Sequence, residues 1–249
     1  MESREGSLKQ YSMEEGFSMM ELMAGVGIVA VLAATVIPAA SRLRPLAENT
    51  RCVSNLRQIG QGILAYAQDH DGMLPGPLIS AQYPYWEASS QITWHLRDYL
   101  ELDKTMGKTG RDDVFMCPAY VRAARKAGNF KPYSSPVYGM NIQVPMEGET
   151  RLQQPFGYAN SSEPNTFRQI RDYPPMRLID LDRIRDAQGR PARSTTWAMR
   201  DVDRQDGRLD GLGTSSTSAI PATPVHGDRR NALFFDFHVE AMPANKQQL

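Results

Sequence analysis

The fold is decided by the stretch Phe17–Ala40, FSMMELMAGVGIVAVLAATVIPAA, in which Glu21 is the single charged residue. The 19 residues from Leu22 to Ala40 carry no charge and are mostly Val, Ala, Ile, Leu and Met. A helix needs about 20 apolar residues to cross the hydrocarbon core of a bilayer. The segment therefore predicts a single membrane-spanning helix near the N-terminus.

This apolar segment admits three interpretations. A secretory signal peptide would have a shorter apolar core of about 7–15 residues and a basic region before it, whereas Glu14 and Glu15 precede this one. A plain signal anchor leaves Glu21 unexplained, because an ionised carboxylate inside a bilayer costs on the order of 3 kcal/mol. The third interpretation gives Glu21 a partner and therefore a function.

The start of the segment contains the motif GFSMMEL at Gly16–Leu22. This motif resembles the cleavage site of the type IV prepilin and pseudopilin family. The resemblance implies that a prepilin peptidase cuts between Gly16 and Phe17 and methylates the new amino group of Phe17. It also implies that Glu21 is the acid that the family uses in assembly, and that Pro38 is the proline that kinks the family's helix.

Glu21 lies one helical turn from the amino group that cleavage would create on Phe17. In a bundle of subunits, Glu21 of one subunit can neutralise the Phe17 amine of a neighbour. Pairing removes the penalty of leaving two isolated charges in a dry environment, and it specifies register more than stability. The pair is therefore expected to select the assembled arrangement.

The overall composition excludes several classes of protein. The 249 residues include 28 Lys+Arg and 28 Asp+Glu, so the formal net charge is zero. A strongly electrostatic partner such as nucleic acid is therefore not expected. The mean hydropathy of −0.46 argues against a polytopic membrane protein.

The order of the segments predicts an α+β fold, and the resemblance implies that this fold is pilin-like. Residues 1–16 are the predicted leader, 17–40 the transmembrane and assembly helix, 41–72 an amphipathic helix that continues into the head, and 73–249 a periplasmic globular head. We expect the head to be a small antiparallel sheet with large loops, on which the long helix packs.

The amphipathic helix is recognised by an apolar stripe, and Pro45 is expected to interrupt or kink the chain before it. Gly72 suits the left-handed residue that ends many helices. The sequence of Cys52–Pro75, with Asn-Leu-Arg-Gln-Ile-Gly and Asp-His-Asp-Gly, resembles the corresponding helix of a pseudopilin-like family. The stripe has helical spacing and comprises Cys52, Leu56, Ile59, Ile63 and Ala67.

Further elements of the head follow from periodicity and turn residues. They are a helix at Ile92–Leu102, a short strand or turn at Val114–Pro118, a long loop over 142–175, a short helix at Leu178–Ile184, a strand at Thr195–Ala198, and a terminal hairpin with arms Asn231–Asp236 and Phe237–Met242.

The C-terminal sequence from His226 to Asp236 resembles a motif of the same family, a histidine followed after nine residues by Asp-Gly. The spacing is kept, Asn231 lies inside it, and Phe237 replaces the glycine. If the turn requires a positive φ, a bulky aromatic there costs about 1 kcal/mol or more. The motif is interpreted either as a site or contact for assembly machinery, or as a histidine that holds the last hairpin by hydrogen bonding.

The two cysteines, Cys52 and Cys117, have 64 residues between them and do not have the spacing of a metal motif. In an oxidising compartment they can form a disulfide. The alternative is two unpaired, buried thiols, and sequence spacing does not distinguish the two.

Three carboxylates, Asp201, Asp203 and Asp206, precede Gly207, and calcium prefers such oxygen donors. The order of an EF-hand fails here, so the alternative is a solvated acidic turn; no other cofactor is expected. The sequence contains neither G-x-S-x-G nor H-E-x-x-H. Enzymatic activity is therefore not expected.

Together these features predict a structural pseudopilin-type subunit that is assembled into a periplasmic pseudopilus of a type II secretion-like system. Its expected location is the inner membrane, with a single span and a periplasmic head. Its expected partners are prepilin peptidase, other pseudopilins and the inner-membrane assembly platform. The alternatives are a minor pilin of a type IV fibre, for adhesion or DNA uptake, and a membrane-anchored periplasmic binding or enzymatic domain.

Overall fold

A computed structural model describes residues 18–84, 88–102, 113–128, 130–131, 135–141, 154–157, 174–186, 188–206 and 220–244, without the side chains of 38–42 and 113. The chain divides into two compact units, Met1–Arg44 and Pro45–Leu249. The predicted processing residues Gly16 and Phe17 lie outside the described residues, and so does the Pro38 side chain.

The first helix, α1, is Met19–Asp69. Its N-terminal part, Met19–Ile37, is long and apolar enough to cross a membrane, and none of this segment is buried within the protein. The structure therefore has the predicted N-terminal apolar helix. The helix continues through Pro45, so of the two effects expected there, an interruption or a kink, the interruption is wrong. Proline lacks a backbone N–H, but its fixed φ lies in the helical range.

The predicted apolar stripe of the second half of α1 is confirmed, since all five of its side chains are at most 2% exposed. Gly72 has φ +81°, and its N–H donates to the Ala67 carbonyl, which gives the predicted left-handed end. Asn55, a polar residue outside the stripe, is also buried, and its amide donates to the Met116 carbonyl at 3.1 Å.

The head contains a five-stranded antiparallel sheet whose spatial order is the chain order. This confirms an α+β fold with a small antiparallel sheet. The terminal hairpin is also confirmed, with its turn centred where it was predicted; β4 ends two residues before that point and β5 begins two residues after the predicted start of the second arm. The strands are β1, Ala81–Gln82; β2, Tyr138–Met140; β3, Trp197–Asp201; β4, Arg229–Phe234; and β5, Val239–Pro243.

Within the part of the chain that the structure describes, four short helices and a 3-10 turn lie between the strands. The helix predicted over Ile92–Leu102 ends at Leu96, before a run of turns in which Glu101 has φ +50°. The helix that begins at Pro118 was missed, although proline at a first helical position is a start signal. The elements are α2, Ile92–Leu96; a 3-10 turn, Asp113–Phe115; α3, Pro118–Lys126; α4, Leu178–Leu181; and α5, Ala192–Thr195.

The helix α1 packs closely on β4 because Gly60 has no side chain. A methyl group at Gly60 would lie 2.9 Å from Leu233 Cδ1 and 3.4 Å from Phe237 Cδ1. Leu233 belongs to the same buried core as the stripe of α1. Since side chains alternate along a strand, its neighbours Ala232 and Phe234 belong to a second, smaller cluster.

Within the loop predicted over 142–175, the described residues include a core side chain. Phe156 is fully buried, stacks on Phe235 with ring centroids 5.4 Å apart, and accepts a hydrogen bond from the Leu78 N–H at 3.1 Å. The loop therefore contributes to the core at this point.

Candidate functional site

The most unusual group of side chains in the head is Cys52, Cys117, Asp201 and His226, called here the cysteine–histidine cluster. Cys52 of α1 and Cys117, which precedes α3, form a disulfide with their Cα atoms 4.8 Å apart. Both cysteines are completely buried. The disulfide is thus present, and the alternative of two unpaired thiols is wrong.

His226 lies beside the disulfide. Its Nε2 atom is 3.4 Å from Cys117 Sγ and 3.4 Å from Asp201 Oδ2. The His226 side chain is only 6% exposed. The next residue, Gly227, has φ +81°, and His226 forms a bridge with Arg229. A tight turn before β4 therefore carries the imidazole into the head.

Asp201 ends β3 and links it to β4 and α1. Its Oδ2 atom accepts a hydrogen bond from the Asn231 backbone N–H at 3.0 Å. The Asn231 side chain in turn donates to Asn49 Oδ1 at 2.9 Å. Asn231, predicted only as part of the C-terminal motif, therefore connects the strand pair to the long helix.

The remaining contacts join α1 to α3. Arg122 donates to Glu48 Oε2, with N···O distances of 2.7 and 2.9 Å. With the disulfide and the bonds made by Asn49 and Asn55, four cross-links leave α1 within Glu48–Asn55. We call these four the helix clamp.

Burial controls the charge of the cluster. Desolvation lowers the pKa of His226 to about 4; the nearby Glu48 opposes this shift and Arg122 adds to it. Desolvation raises the pKa of Asp201 to about 7, with Asp203 adding to the shift, and with the hydrogen bonds from Asn231 and the charge of Arg230 opposing it. At mildly acidic pH the contact between His226 and Asp201 therefore joins two neutral groups and is not an ion pair.

The two shifts predict an unusual dependence of stability on pH. Asp201 favours the folded state while it is protonated, so its contribution is full below the unfolded pKa of 3.8 and is lost as the pH rises through about 7. His226 favours the folded state while it is neutral, so its contribution is full above 6.5 and is lost as the pH falls through about 4. Between pH 4 and 6.5 the two slopes cancel.

Substitution of His226 or of Asp201 should leave only the pH dependence of stability that the other residue causes. In His226→Gln the free energy of unfolding should rise by about 1.4 kcal/mol per unit as the pH falls from 6.5 to 4, relative to the parent chain. In Asp201→Asn it should fall by a similar amount. Urea unfolding at several pH values measures both, and parallel curves for the three proteins would contradict the assigned shifts.

The two ends of the C-terminal motif do not meet at one site. His226 precedes β4 and belongs to the cysteine–histidine cluster, whereas Asp236 lies in the turn after β4 and contacts His238. Phe237 in this turn has φ +70°. The position therefore has the positive φ that suits glycine, and Phe237 offsets the strain in part by packing over Gly60.

Phe237 allows a direct test of this strain. Phe237→Ala and Phe237→Gly lose the same ring, but alanine keeps the unfavourable φ. We expect the glycine variant to be more stable than the alanine variant by about 1 kcal/mol. This is the reverse of the usual order in regular structure. Urea unfolding of both variants measures the difference, and a more stable alanine variant would contradict it.

The three carboxylates considered for calcium take separate partners. Asp203 binds Arg230 through two contacts of 2.6 and 2.9 Å, and Asp206 binds Arg200 through contacts of 2.6 and 3.0 Å. Asp203 and Asp206 are buried, so the alternative of a solvated acidic turn is wrong. Because arginines occupy these oxygens, the arrangement lends no support to calcium.

At the start of α1, Glu21 has a local role. Its Oε2 atom accepts a hydrogen bond from the Ser18 N–H at 3.0 Å, and Ser18 Oγ accepts one from the Met20 N–H at 3.3 Å. Serine at the helix start and glutamate three residues later form a capping box. Ser18-Met19-Met20-Glu21 contains this signal, which the sequence interpretation did not use.

Several residues of the clamp were missed from the sequence. Glu48, Asn49 and Arg122 carry no local signal for their roles, since each acts through a residue far away in the chain. No spacing in the sequence linked the cysteines to the histidines. The fold nevertheless brings Cys117 and His226 into contact, although they are 109 positions apart in the chain.

A histidine beside a cysteine sulfur can activate a free thiol as a nucleophile. Here the sulfur next to His226 is bonded to Cys52, so it is not a free thiol. A comparison of the chain with protein-family models, with curated proteins and with solved structures found no match in any of the three.

Proposed function

We propose that this chain is a structural pseudopilin-type subunit, anchored in the inner membrane by the N-terminal part of α1 and assembled through that helix after removal of residues 1–16. The observation that carries the proposal is an apolar helix, Met19–Ile37, of which no part is buried and which begins within the motif GFSMMEL with its single acid, Glu21. A protein that exposes so much apolar surface requires a lipid or protein partner for it.

The position of Glu21 supports assembly rather than simple anchoring. In the unassembled chain its carboxylate caps the start of α1 through Ser18. Cleavage before Phe17 would place a positively charged amine one residue before Ser18. The Phe17 amine of a neighbouring subunit then offers Glu21 an ionic partner, which a dry helix bundle strengthens relative to water.

The head supports a role under mechanical load. The helix clamp joins α1 to α3, to the two residues before α3 and to β4 through a disulfide, an ion pair and two hydrogen bonds made by asparagine side chains, all from within Glu48–Asn55. A subunit that is added to a fibre through its helix transmits force to its head at this point. The helix clamp is suited to that task because it resists sliding of α1 along the sheet.

The proposal is tested first by the mature N-terminus. Mass spectrometry of the chain purified from cells with prepilin peptidase should show a protein that begins at a methylated Phe17, and cells without the enzyme should give the uncut chain. An identical uncut chain from both, or cleavage beyond Ala40, would contradict the assignment and would favour an ordinary anchor or a signal peptide.

Substitution of Glu21 tests the assembly step. Glu21→Ala and Glu21→Gln should both insert in the membrane and both fail to assemble, which is measured by cross-linking and by sedimentation of fibres. Glutamine preserves a capping box but has no charge, so it separates the ionic role from the cap. Ser18→Ala, which weakens the cap and keeps the acid, is the matched control and should assemble. Normal assembly of Glu21→Gln would remove the ionic role.

A further inference from the structure

Cys52, Cys117 and His226 bring two sulfur atoms and one imidazole nitrogen within 4.8 Å of one another. The three residues come from α1, from the residue before α3, and from the turn before β4. Sulfur and imidazole nitrogen are the ligands that zinc-class cations prefer. The fold therefore assembles a donor set that no local spacing in the sequence contains.

The distances around His226 match the edges of a tetrahedral site. With metal–sulfur bonds of about 2.3 Å and metal–nitrogen bonds of about 2.0 Å, a tetrahedral angle separates sulfur from nitrogen by about 3.5 Å, and nitrogen from oxygen by about 3.3 Å. The corresponding distances from His226 Nε2 are 3.4 Å to Cys117 Sγ and 3.4 Å to Asp201 Oδ2. The two sulfur atoms are bonded to each other in this structure, and they must move apart before both can bind one cation.

A second observation concerns Asp201. Its side chain is 4% exposed, and its Oδ1 atom has no hydrogen-bond partner among the described residues. A buried oxygen without a partner costs on the order of 1–3 kcal/mol, more when it is charged. Asp201 is thus a buried acid with one unpartnered oxygen, Oδ1, on the carboxyl group whose other oxygen, Oδ2, lies beside His226 Nε2.

We propose that reduction of the disulfide converts the cysteine–histidine cluster into a binding site for one zinc-class cation, held by Cys52, Cys117, His226 and Asp201. The reductant is a dithiol, which takes the place of the protein disulfide by becoming oxidised itself and leaves two protein thiols. The cation then binds both sulfurs as thiolates and releases their two protons.

The two states are mutually exclusive. A disulfide sulfur carries no negative charge and is a poor ligand, so the oxidised chain lacks two of the four donors. The same point of the head is therefore cross-linked either by a covalent bond or by a metal. None of the four ligands lies in the apolar segment Met19–Ile37, so this inference stands independently of the proposed assembly.

The test uses the full chain in detergent micelles, reduced with a phosphine and titrated with Co²⁺ and then Zn²⁺. The reduced chain should give a thiolate-to-cobalt charge-transfer band that saturates at one Co²⁺ per chain and is abolished by Zn²⁺. The oxidised chain should give none. A reduced chain without the band, or the same band from the oxidised chain, would overturn the proposal.

Variants separate the cluster from adventitious binding. Since loss of a residue that merely supports a ligand costs about 10- to 100-fold in affinity, His226→Ala should weaken Zn²⁺ binding by about 100-fold or more, and Asp201→Asn by about tenfold. His238→Ala, which removes an exposed histidine elsewhere, should leave it unchanged. Equal affinity in His226→Ala and His238→Ala would overturn the site.

The stability of the reduced chain gives a readout that does not depend on spectroscopy. Zn²⁺ should raise the urea midpoint of the reduced parent chain, or refold it if reduction unfolds it, and should leave the oxidised chain unchanged. A reduced chain that Zn²⁺ neither stabilises nor refolds would contradict the proposal.

Discussion

Loss of the Cys52–Cys117 disulfide is expected to lower the free energy of unfolding by about 4 kcal/mol. The bond closes a loop between positions 65 apart in sequence, and the chain-entropy estimate for a loop of this length is about 4 kcal/mol. The effect acts mainly on the unfolded chain, which becomes freer when the bond is absent. Since domains are stable by about 5–15 kcal/mol, this is a large share of the total.

Two independent ways of removing the disulfide check the expected loss in the free energy of unfolding. One is reduction of the parent chain with a phosphine, with a chelator present so that no metal replaces the bond. The other is the double variant Cys52→Ala/Cys117→Ala, which also leaves a small cavity. Urea unfolding followed by tryptophan fluorescence should give a similar loss for both. A loss below about 1 kcal/mol by both routes would mean that other contacts already restrain this loop.

Replacing Arg230 by methionine is expected to destabilise the head by about 3–5 kcal/mol. The Arg230 guanidinium makes two contacts with Asp203, of 2.6 and 2.9 Å, and donates to the Ala244 carbonyl at 2.8 Å. Asp203 is completely buried. Arg230→Met therefore leaves a carboxylate in the interior without its compensating charge.

The matched control removes both charges. In Asp203→Leu/Arg230→Met no isolated ion remains, and replacement of a buried pair by apolar groups is often neutral or stabilising. We expect the double variant to recover most of the loss measured for Arg230→Met by urea unfolding. A double variant as unstable as the single one would show that the hydrogen bonds to Gln205 and Ala244, rather than the charge, hold this corner.

The interior of the head contains two buried ion pairs, Arg200–Asp206 and Arg230–Asp203. The side chains of Arg200, Asp206, Arg230 and Asp203 are each at most 5% exposed. These groups sit around the ends of β3 and β4, next to the cysteine–histidine cluster. Buried charged groups are stable only when they are completely paired, so removal of one partner from either pair is expected to destabilise the head.

Local patterns determined the parts of this protein that need only local information. The apolar run predicted the exposed helix Met19–Ile37, and the stripe from Cys52 to Ala67 predicted the buried face of α1. Gly72 and the terminal hairpin were found for the same reason. Each of these features depends on residues within a few positions, so periodicity and turn chemistry are sufficient to locate it.

Only the tertiary structure decided how distant residues combine. The pairing of Cys52 with Cys117, the place of His226 beside Cys117, and the bond from Asn231 to Asn49 join positions 65, 109 and 182 apart. The same holds for the acidic group, in which Asp203 pairs with Arg230, 27 positions away, and both of the paired carboxylates are buried. Local sequence does not determine which of many distant partners meets a given side chain, because that choice depends on how the whole sheet packs against α1. The apolar helix with Glu21 was therefore predictable from the sequence, and the cysteine–histidine cluster was not.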